Sequence, residues 1–244
     1  MKTTPRLHLD AAFESQREIA LEREQAHYLT NVLRLAPGDA VSVFNARDGE
    51  WLAYLADVGR KGASIRCERQ VSAVMPPPDV DYCFAPLKHA RLDYVVQKAT
   101  ELGARRLRPV ITQRTIADRV NLERMKANVV EAAEQCNLVF VPEVMEPVKL
   151  SKLLLDWDSG RALVYCDETA AIADPLEALK ALGTPAAVLI GPEGGFTEEE
   201  KAVLKSLPFV TAISLGPRIM RADTAAVAAL TLVQAVLGDW HHAR

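Results

Sequence analysis

Two apolar runs late in the chain constrain its fold more than any other feature. Ala186 to Ile190 leads directly into Gly191-Pro192-Glu193-Gly194-Gly195-Phe196, and Val210 to Leu215 leads into Gly216-Pro217-Arg218-Ile219-Met220-Arg221. A short apolar run bounded by glycine and proline reads as a buried strand, and a helical pattern follows each loop. Glycine lets backbone approach a ligand closely, and proline stiffens the approach. Ligands of open α/β sheets bind outside the carboxyl ends of the strands, so these two loops are the expected ligand site.

Met75-Pro76-Pro77-Pro78 marks a boundary, because consecutive prolines cannot continue a sheet ladder and form a stiff spacer. This divides the chain into residues 1–74 and 75–244. In the first part Leu7 and Leu9 alternate with polar neighbours. Val41 to Phe44 follows a Pro37-Gly38-Asp39 turn, and Asp48-Gly49 marks a hairpin-like turn into Trp51 to Leu55. Ser64 to Glu68 completes the strand-like runs. One helix is expected from about Glu24 to Leu35, with Tyr28, Leu29, Val32 and Leu33 on one face. A small β-barrel with a single helix fits.

After the prolines the period changes. Strands are expected at 81–85, 107–111, 139–141, 162–166 and in the two runs above. Helical patterns intervene at 87–102, 122–135, 150–155 and 175–182, with Gly103 closing the first. Such alternation implies a parallel sheet covered on both faces. Thr197 with Glu200 makes a capping-box pattern, and Glu198 and Glu199 suit the positive end of a helix dipole. The last helix, about Asp223 to Leu237, is nearly all Ala, Val and Leu; it is expected to be deeply packed or to form a subunit interface.

The net charge of −3 gives no global nucleic-acid footprint, yet residues 86–126 hold ten Lys/Arg against four Asp/Glu. The four cysteines form no C-x-x-C pair and the histidines lack ligand spacing, so no metal is expected. The N-terminus carries no apolar signal segment and no run is long enough to span a bilayer, which points to the cytoplasm. The glycine loop lacks the Gly-Lys-Ser/Thr of a phosphate loop, and neither G-x-G-x-x-G nor G-x-S-x-G occurs.

Together, Gly191-Pro192-Glu193-Gly194-Gly195-Phe196 with Thr197-x-x-Glu200, and Leu215-Gly216-x-Arg218-Ile219-Met220-Arg221-x-Asp223-Thr224-Ala225, resemble the bacterial 16S ribosomal RNA uridine-N3 methyltransferases of the SPOUT class. Lys88, Arg91-Leu92-Asp93, Val96 to Gly103, Thr112 with Arg114, Glu131 to Gln135, His27-Tyr28-Leu29 and Val32-Leu33-Arg34 extend the likeness over nearly the whole chain. The family usually has Glu where Asp223 stands and often Leu at Met220.

The resemblance implies a PUA-like β-barrel followed by an α/β SPOUT domain, with a trefoil knot over about residues 186–238. It also implies a homodimer, 16S rRNA within the small ribosomal subunit as partner, and S-adenosylmethionine as the only cofactor. The cofactor site it implies comprises Leu189, Ile190, Gly191, Glu193, Gly194, Gly195, Leu215, Gly216, Ile219, Met220, Arg221, Thr224 and Ala225. Catalytic roles are expected for Arg221, for Asp223 as its orienting group, and for Glu193 either in removing the proton or in bonding the loop. RNA contacts are expected at Arg6, His27, Arg34, Lys88, Arg91, Lys98 and Arg114. Two other readings stay open: the same chemistry on another nucleotide, and a non-catalytic RNA-binding assembly factor.

Overall fold

The computed structural model describes residues 4–59, 62–88, 90–116, 119–170 and 174–240. The chain divides into two compact units, Met1–Pro76 with Ala133–Val141, and Pro77–Ala132 with Pro142–Arg244.

In the first unit β1 (Arg6–His8), β2 (Glu18–Ala20), β3 (Ala40–Asn45), β4 (Gly49–Gly59) and β5 (Gly62–Ser72) form one sheet in the order β1-β3-β4-β5-β2. β1 joins β3 in parallel and the other neighbours are antiparallel. The turn at Asp48-Gly49 joins β3 to β4. Gly49 has φ +74°, and a Cβ there would stand 2.3 Å from the Ser72 carbonyl oxygen, so the hairpin requires glycine. Val41, Val43, Leu55, Ile65 and Cys67 bury against Leu7 and Leu29 as the core of this unit.

The helix expected at 24–35 is shorter and broken in type. It consists of α1 (Arg23–His27) and one π-helical turn, Tyr28–Val32. Leu33 N–H donates to the Tyr28 carbonyl five residues back at 2.9 Å. The wider turn changes the rotation per residue. Leu29 therefore stays fully buried, while Val32, expected on the same face, is 58% exposed.

The strand expected at 139–141 does not form. Asn137 at φ +58° turns the chain out of a helix, and the Leu138 carbonyl accepts from Arg6 at 2.7 Å, so the segment closes the helix end while Phe140 buries its ring.

The second unit runs β6 (Val80–Phe84), α2 (Ala90–Glu101), β7 (Arg106–Ile111), α3 (Leu122–Gln135, whose residues from Ala133 on belong to the first unit), β8 (Glu143–Val144), β9 (Val148–Lys149), α4 (Leu150–Leu155), β10 (Ala162–Cys166), α5 (Pro175–Lys180), β11 (Ala186–Ile190), α6 (Glu198–Ser206), β12 (Val210–Ile213) and α7 (Ala222–Leu237). Its sheet is wholly parallel in the order β12-β10-β11-β6-β7-β8, with β9 also on β7. Every residue of β6 and β11 is buried, as strands covered on both faces require.

At the amino ends of these strands the fully buried Asp81 accepts from Arg106 Nε and Arg108 Nε, each at 2.7 Å. Asp79 pairs with Arg105, Arg106 and Arg161. α7 packs on α2, α5 and β11. Ala226, Ala229, Leu230, Val233 and Gln234 are buried, while Val227 and Leu232 are only partly buried. No helix among the described residues is long and apolar enough to cross a membrane.

Candidate functional site

β10, β11 and β12 are neighbours and parallel, so their carboxyl ends open on one edge of the sheet. There a cavity of about 720 Å³ is enclosed by the loop after β11, the loop after β12, the end of β10 with Asp167 and Glu168, and Arg91 from α2. The volume lies within the roughly 300–1,000 Å³ range of small-molecule sites.

The first loop is fixed by close packing. Phe196 is buried, and its ring stands edge-on to Tyr165 with centroids 5.3 Å apart. A Cβ on Gly191 would lie 2.6 Å from the Phe196 ring, so Gly191 is where the backbone passes an aromatic face. Gly195, at φ +67°, closes a turn by donating its N–H to the Pro192 carbonyl at 2.8 Å. The capping box then starts α6: Thr197 Oγ1 accepts from Glu200 N–H, and Thr197 N–H donates to Glu200 Oε2. The other Glu200 oxygen accepts from the Gln113 N–H at 2.9 Å, which pins the loop after β7 beside it.

The second loop departs from β12 at the buried Ser214, whose hydroxyl accepts from the Gly216 N–H at 3.2 Å. Gly216 sits at φ +103°, where other residues are strained. Beyond it Arg218, Ile219 and Arg221 face solvent around the cavity, with Ile219 86% exposed. Among the described residues neither Arg218 nor Arg221 has a side-chain hydrogen bond or ion pair; both guanidiniums are open to a ligand.

The expected residues distribute unevenly. Ile190, Gly191, Glu193, Gly194, Gly195, Leu215, Gly216, Ile219, Met220, Arg221 and Ala225 line the cavity. Leu189 instead belongs to the hydrophobic core, because alternation along β11 turns it away from the site. Thr224 is exposed and outside the lining. Asp223 does not contact Arg221. Its Oδ2 lies 3.9 Å from Arg91 Nε, and its Oδ1 accepts from the Thr224 N–H. Glu193 is ion-paired to Arg91.

The expected RNA contacts fare differently. Arg6 is held within its own unit. All five of its N–H donors are engaged, by both Glu50 oxygens and by the carbonyls of Ala133, Glu134 and Leu138, and its guanidinium lies over Phe44. Arg91 is at the cavity and Arg114 donates to the Gly194 carbonyl at 2.8 Å. Lys98 pairs with Glu101. His27, Arg34 and Lys88 are exposed, and Arg34 holds φ +56° just beyond the π-helical turn. Much of the basic stretch at 86–126 is thus neutralised internally, with Arg124 on Asp93 and Lys126 on Glu123 besides the pairs already given.

Tyr165, Cys166, Asp167, Glu168 and Lys201 line the cavity although nothing local in the sequence marks them. The first four share one signal, position at and after a strand end, which matters only once β10 is known to lie between β11 and β12; Lys201 comes from α6. Burial pushes the Cys166 thiol up to about 12, so it is a neutral wall and not a nucleophile. Burial of Asp167 works against its charge, but the ion pair with Lys205 and hydrogen bonds from Thr169 outweigh it and hold the carboxyl below its ordinary range. Among the described residues no group of three or more side chains could hold a metal ion.

Residues 75–234 match the model of an RNA methyltransferase domain, and residues 21–67 that of an RNA methyltransferase PUA domain. The chain belongs to this RNA methyltransferase family. Its relatives include the ribosomal RNA small subunit methyltransferase E of Rickettsia conorii, 29% identical over 94% of each chain. That of Synechocystis is 33% identical over 90% of this chain and 73% of the relative. Among solved structures of the family, methyltransferase E of Neisseria gonorrhoeae bound to S-adenosylmethionine superposes with a TM-score of 0.87 at 25% identity, over 98% of this chain and 100% of that one. A Legionella pneumophila methyltransferase with the same cofactor bound gives 0.84 at 27% identity, over 97% and 99%. The family thus has the SPOUT-type α/β architecture behind a PUA-like unit that the two sheets display.

Proposed function

We propose that this protein transfers the methyl group of S-adenosylmethionine to N3 of one uridine in the 16S rRNA of the small ribosomal subunit. The observation that carries the reading is the cavity at the carboxyl ends of β10, β11 and β12, walled by two glycine loops in a chain whose solved relatives hold that cofactor. The residues present fit such a molecule. Gly191 and Gly216 carry no side chain where one would clash or be strained, so a ligand can come close to the backbone of both loops. Ile190, Leu215, Met220 and Ala225 offer an apolar slot, and Glu168 and Glu193 offer carboxylates to its polar groups.

S-adenosylmethionine supplies a methyl group already activated on a sulfonium, so no metal is required. What remains for the protein is orientation and charge. The cavity walls hold the donor and the splayed-out uracil in line, which is proximity catalysis. Arg221 stabilises the negative charge that develops on the ring as N3 loses its proton. Glu193 is the candidate proton acceptor, and Asp223 acts at one remove through Arg91.

Residues 1–74 serve as the RNA-gripping module, with His27 and Arg34 as contacts, while Lys88 and Lys98 supply phosphate contacts from the 75–244 domain. Within that domain the loops at 186–238 are read as threaded into a trefoil knot. The partly buried apolar residues of α7 are read as a homodimer interface and the cytoplasm as the place of action.

Incubating the protein with labelled S-adenosylmethionine and unmodified small subunits, followed by nucleoside mass spectrometry, tests this directly. N3-methyluridine at a single site is expected. A different methylated nucleoside would keep the cofactor and replace the acceptor. Cofactor binding without transfer to subunits, naked rRNA or tRNA would favour the assembly-factor reading.

A further inference from the structure

We infer that Arg91 and Arg114 are positioning residues that clamp the glycine loop, and that neither contacts the RNA backbone. The inference rests on the methyltransferase reading and concerns the same cavity. Two polar groups project from the tip of the loop after β11: the Glu193 carboxylate and the Gly194 carbonyl. Each is held by an arginine from elsewhere in the second unit. Arg91 on α2 pairs with Glu193, and Arg114, just beyond β7, donates to the Gly194 carbonyl at 2.8 Å. The stem of Arg114 also packs on the loop, with its Cδ 3.6 Å from where a Gly194 Cβ would stand.

Arg91 reaches further. Its Nε lies 3.9 Å from Asp223 Oδ2, outside hydrogen-bond range but close enough for charge attraction, and Asp223 belongs to the first turn of α7. One guanidinium therefore faces carboxylates from both walls of the cavity, the loop after β11 and the start of α7. Arginine suits this task because its planar fork presents five donors in fixed directions, whereas lysine is a single point charge.

Exposure shows what such a clamp does and does not do. The Arg91 side chain is 40% and the Glu193 side chain 43% exposed. Ion pairs this open add little to global stability. Their effect is local, limiting the positions available to a loop that contains three glycines and would otherwise sample many. A pre-set loop binds its ligand without first losing that freedom. The clamp also accounts for the fate of the basic stretch: two of its arginines are already engaged at the loop and have limited capacity left for phosphate.

The test compares Arg91→Ala, Arg114→Ala, Arg91→Lys, Glu193→Gln and the double variant Arg91→Ala/Glu193→Gln in the full-length protein. S-adenosylmethionine affinity is read by calorimetry, rRNA affinity against salt by filter binding, and folding by thermal unfolding. Each alanine variant is expected to weaken cofactor binding by roughly tenfold, with the unfolding midpoint and the salt slope of RNA binding unchanged. Arg91→Lys should recover part of the loss, and the double variant should lose less than the sum of the two single losses, since both changes break one link.

Unchanged cofactor affinity with a salt slope reduced by about one per arginine would overturn the inference and make both residues phosphate contacts. Additive losses in the double variant would overturn the shared link. If the unsubstituted protein fails to bind S-adenosylmethionine, the methyltransferase reading itself fails, and that outcome is separate from any difference among the variants.

Discussion

Gly191 and Phe196 occupy one tight space at the end of β11: a methyl group on Gly191 would stand 2.6 Å from Cε2 and 3.0 Å from Cδ2 of the ring. Neither partner can move far. Phe196 is locked edge-on against Tyr165, and Gly191 leaves a fully buried strand. Gly191→Ala should therefore displace the ring, cost about 1–3 kcal/mol as overpacking, and weaken cofactor binding. Urea unfolding and calorimetry with S-adenosylmethionine check both parts. The double variant Gly191→Ala/Phe196→Leu should recover stability, and failure to do so would show that the clash lies elsewhere.

Arg221 presents the opposite case, an exposed guanidinium with no partner among the described residues. Its loss leaves no buried group unsatisfied, so Arg221→Ala should unfold at the same temperature as the parent protein. Methyl transfer should fall roughly 10²–10³-fold in kcat, the range found when one charge-stabilising donor is removed. Near-parental turnover would remove Arg221 from the chemistry.

Arg6 should respond through stability instead. Its side chain is 9% exposed and engages Glu50 and three carbonyls around the end of α3. Arg6→Ala leaves Glu50 uncompensated and should cost about 3–5 kcal/mol, as for other broken buried pairs. Equilibrium denaturation gives the value. A loss of RNA binding with stability intact would contradict this placement.

Gln234 offers a stabilising change. It is fully buried in α7, and neither amide atom has a hydrogen-bond partner among the described residues. Leaving such a group without a protein partner costs about 1–3 kcal/mol, so Gln234→Leu should raise the denaturation midpoint, with m unchanged.

Asp167 sets a pH dependence. Lys205 and Thr169 hold its carboxyl below the usual range in the folded state. A depressed carboxylate adds stability that is complete above its unfolded pKa of about 4 and is lost as the pH falls through the lower folded value. The parent protein should lose stability below about pH 4, and Asp167→Asn should flatten that part of the curve while lowering stability at neutral pH. Thermal unfolding from pH 2.5 to 7 separates the two. A Lys205→Met variant with an unaltered acid limb would show that the ion pair is not the source.

Local signals carried well where local physics decides. β10, β11, α3 and α4 lie where periodicity places them, and the Thr197–Glu200 capping box forms as its spacing predicts, because its side chains accept the first-turn N–H groups that the helix itself leaves unpaired. The glycines of the two loops likewise announced a close approach, since a missing side chain is visible in the sequence before any ligand is.

Other outcomes belonged to the tertiary structure. Nothing along the chain states that β10 lies between β11 and β12, so Asp167 and Glu168 reach the site without any local mark. Charge could be counted but not paired. Arg6, Arg91 and Arg114 look like phosphate ligands in the sequence, yet folding sets carboxylates and carbonyls against them. Residue identity fixes charge and backbone freedom, which act at short range along the chain. Which groups face one another depends on packing between segments far apart in sequence, and only the folded chain decides that.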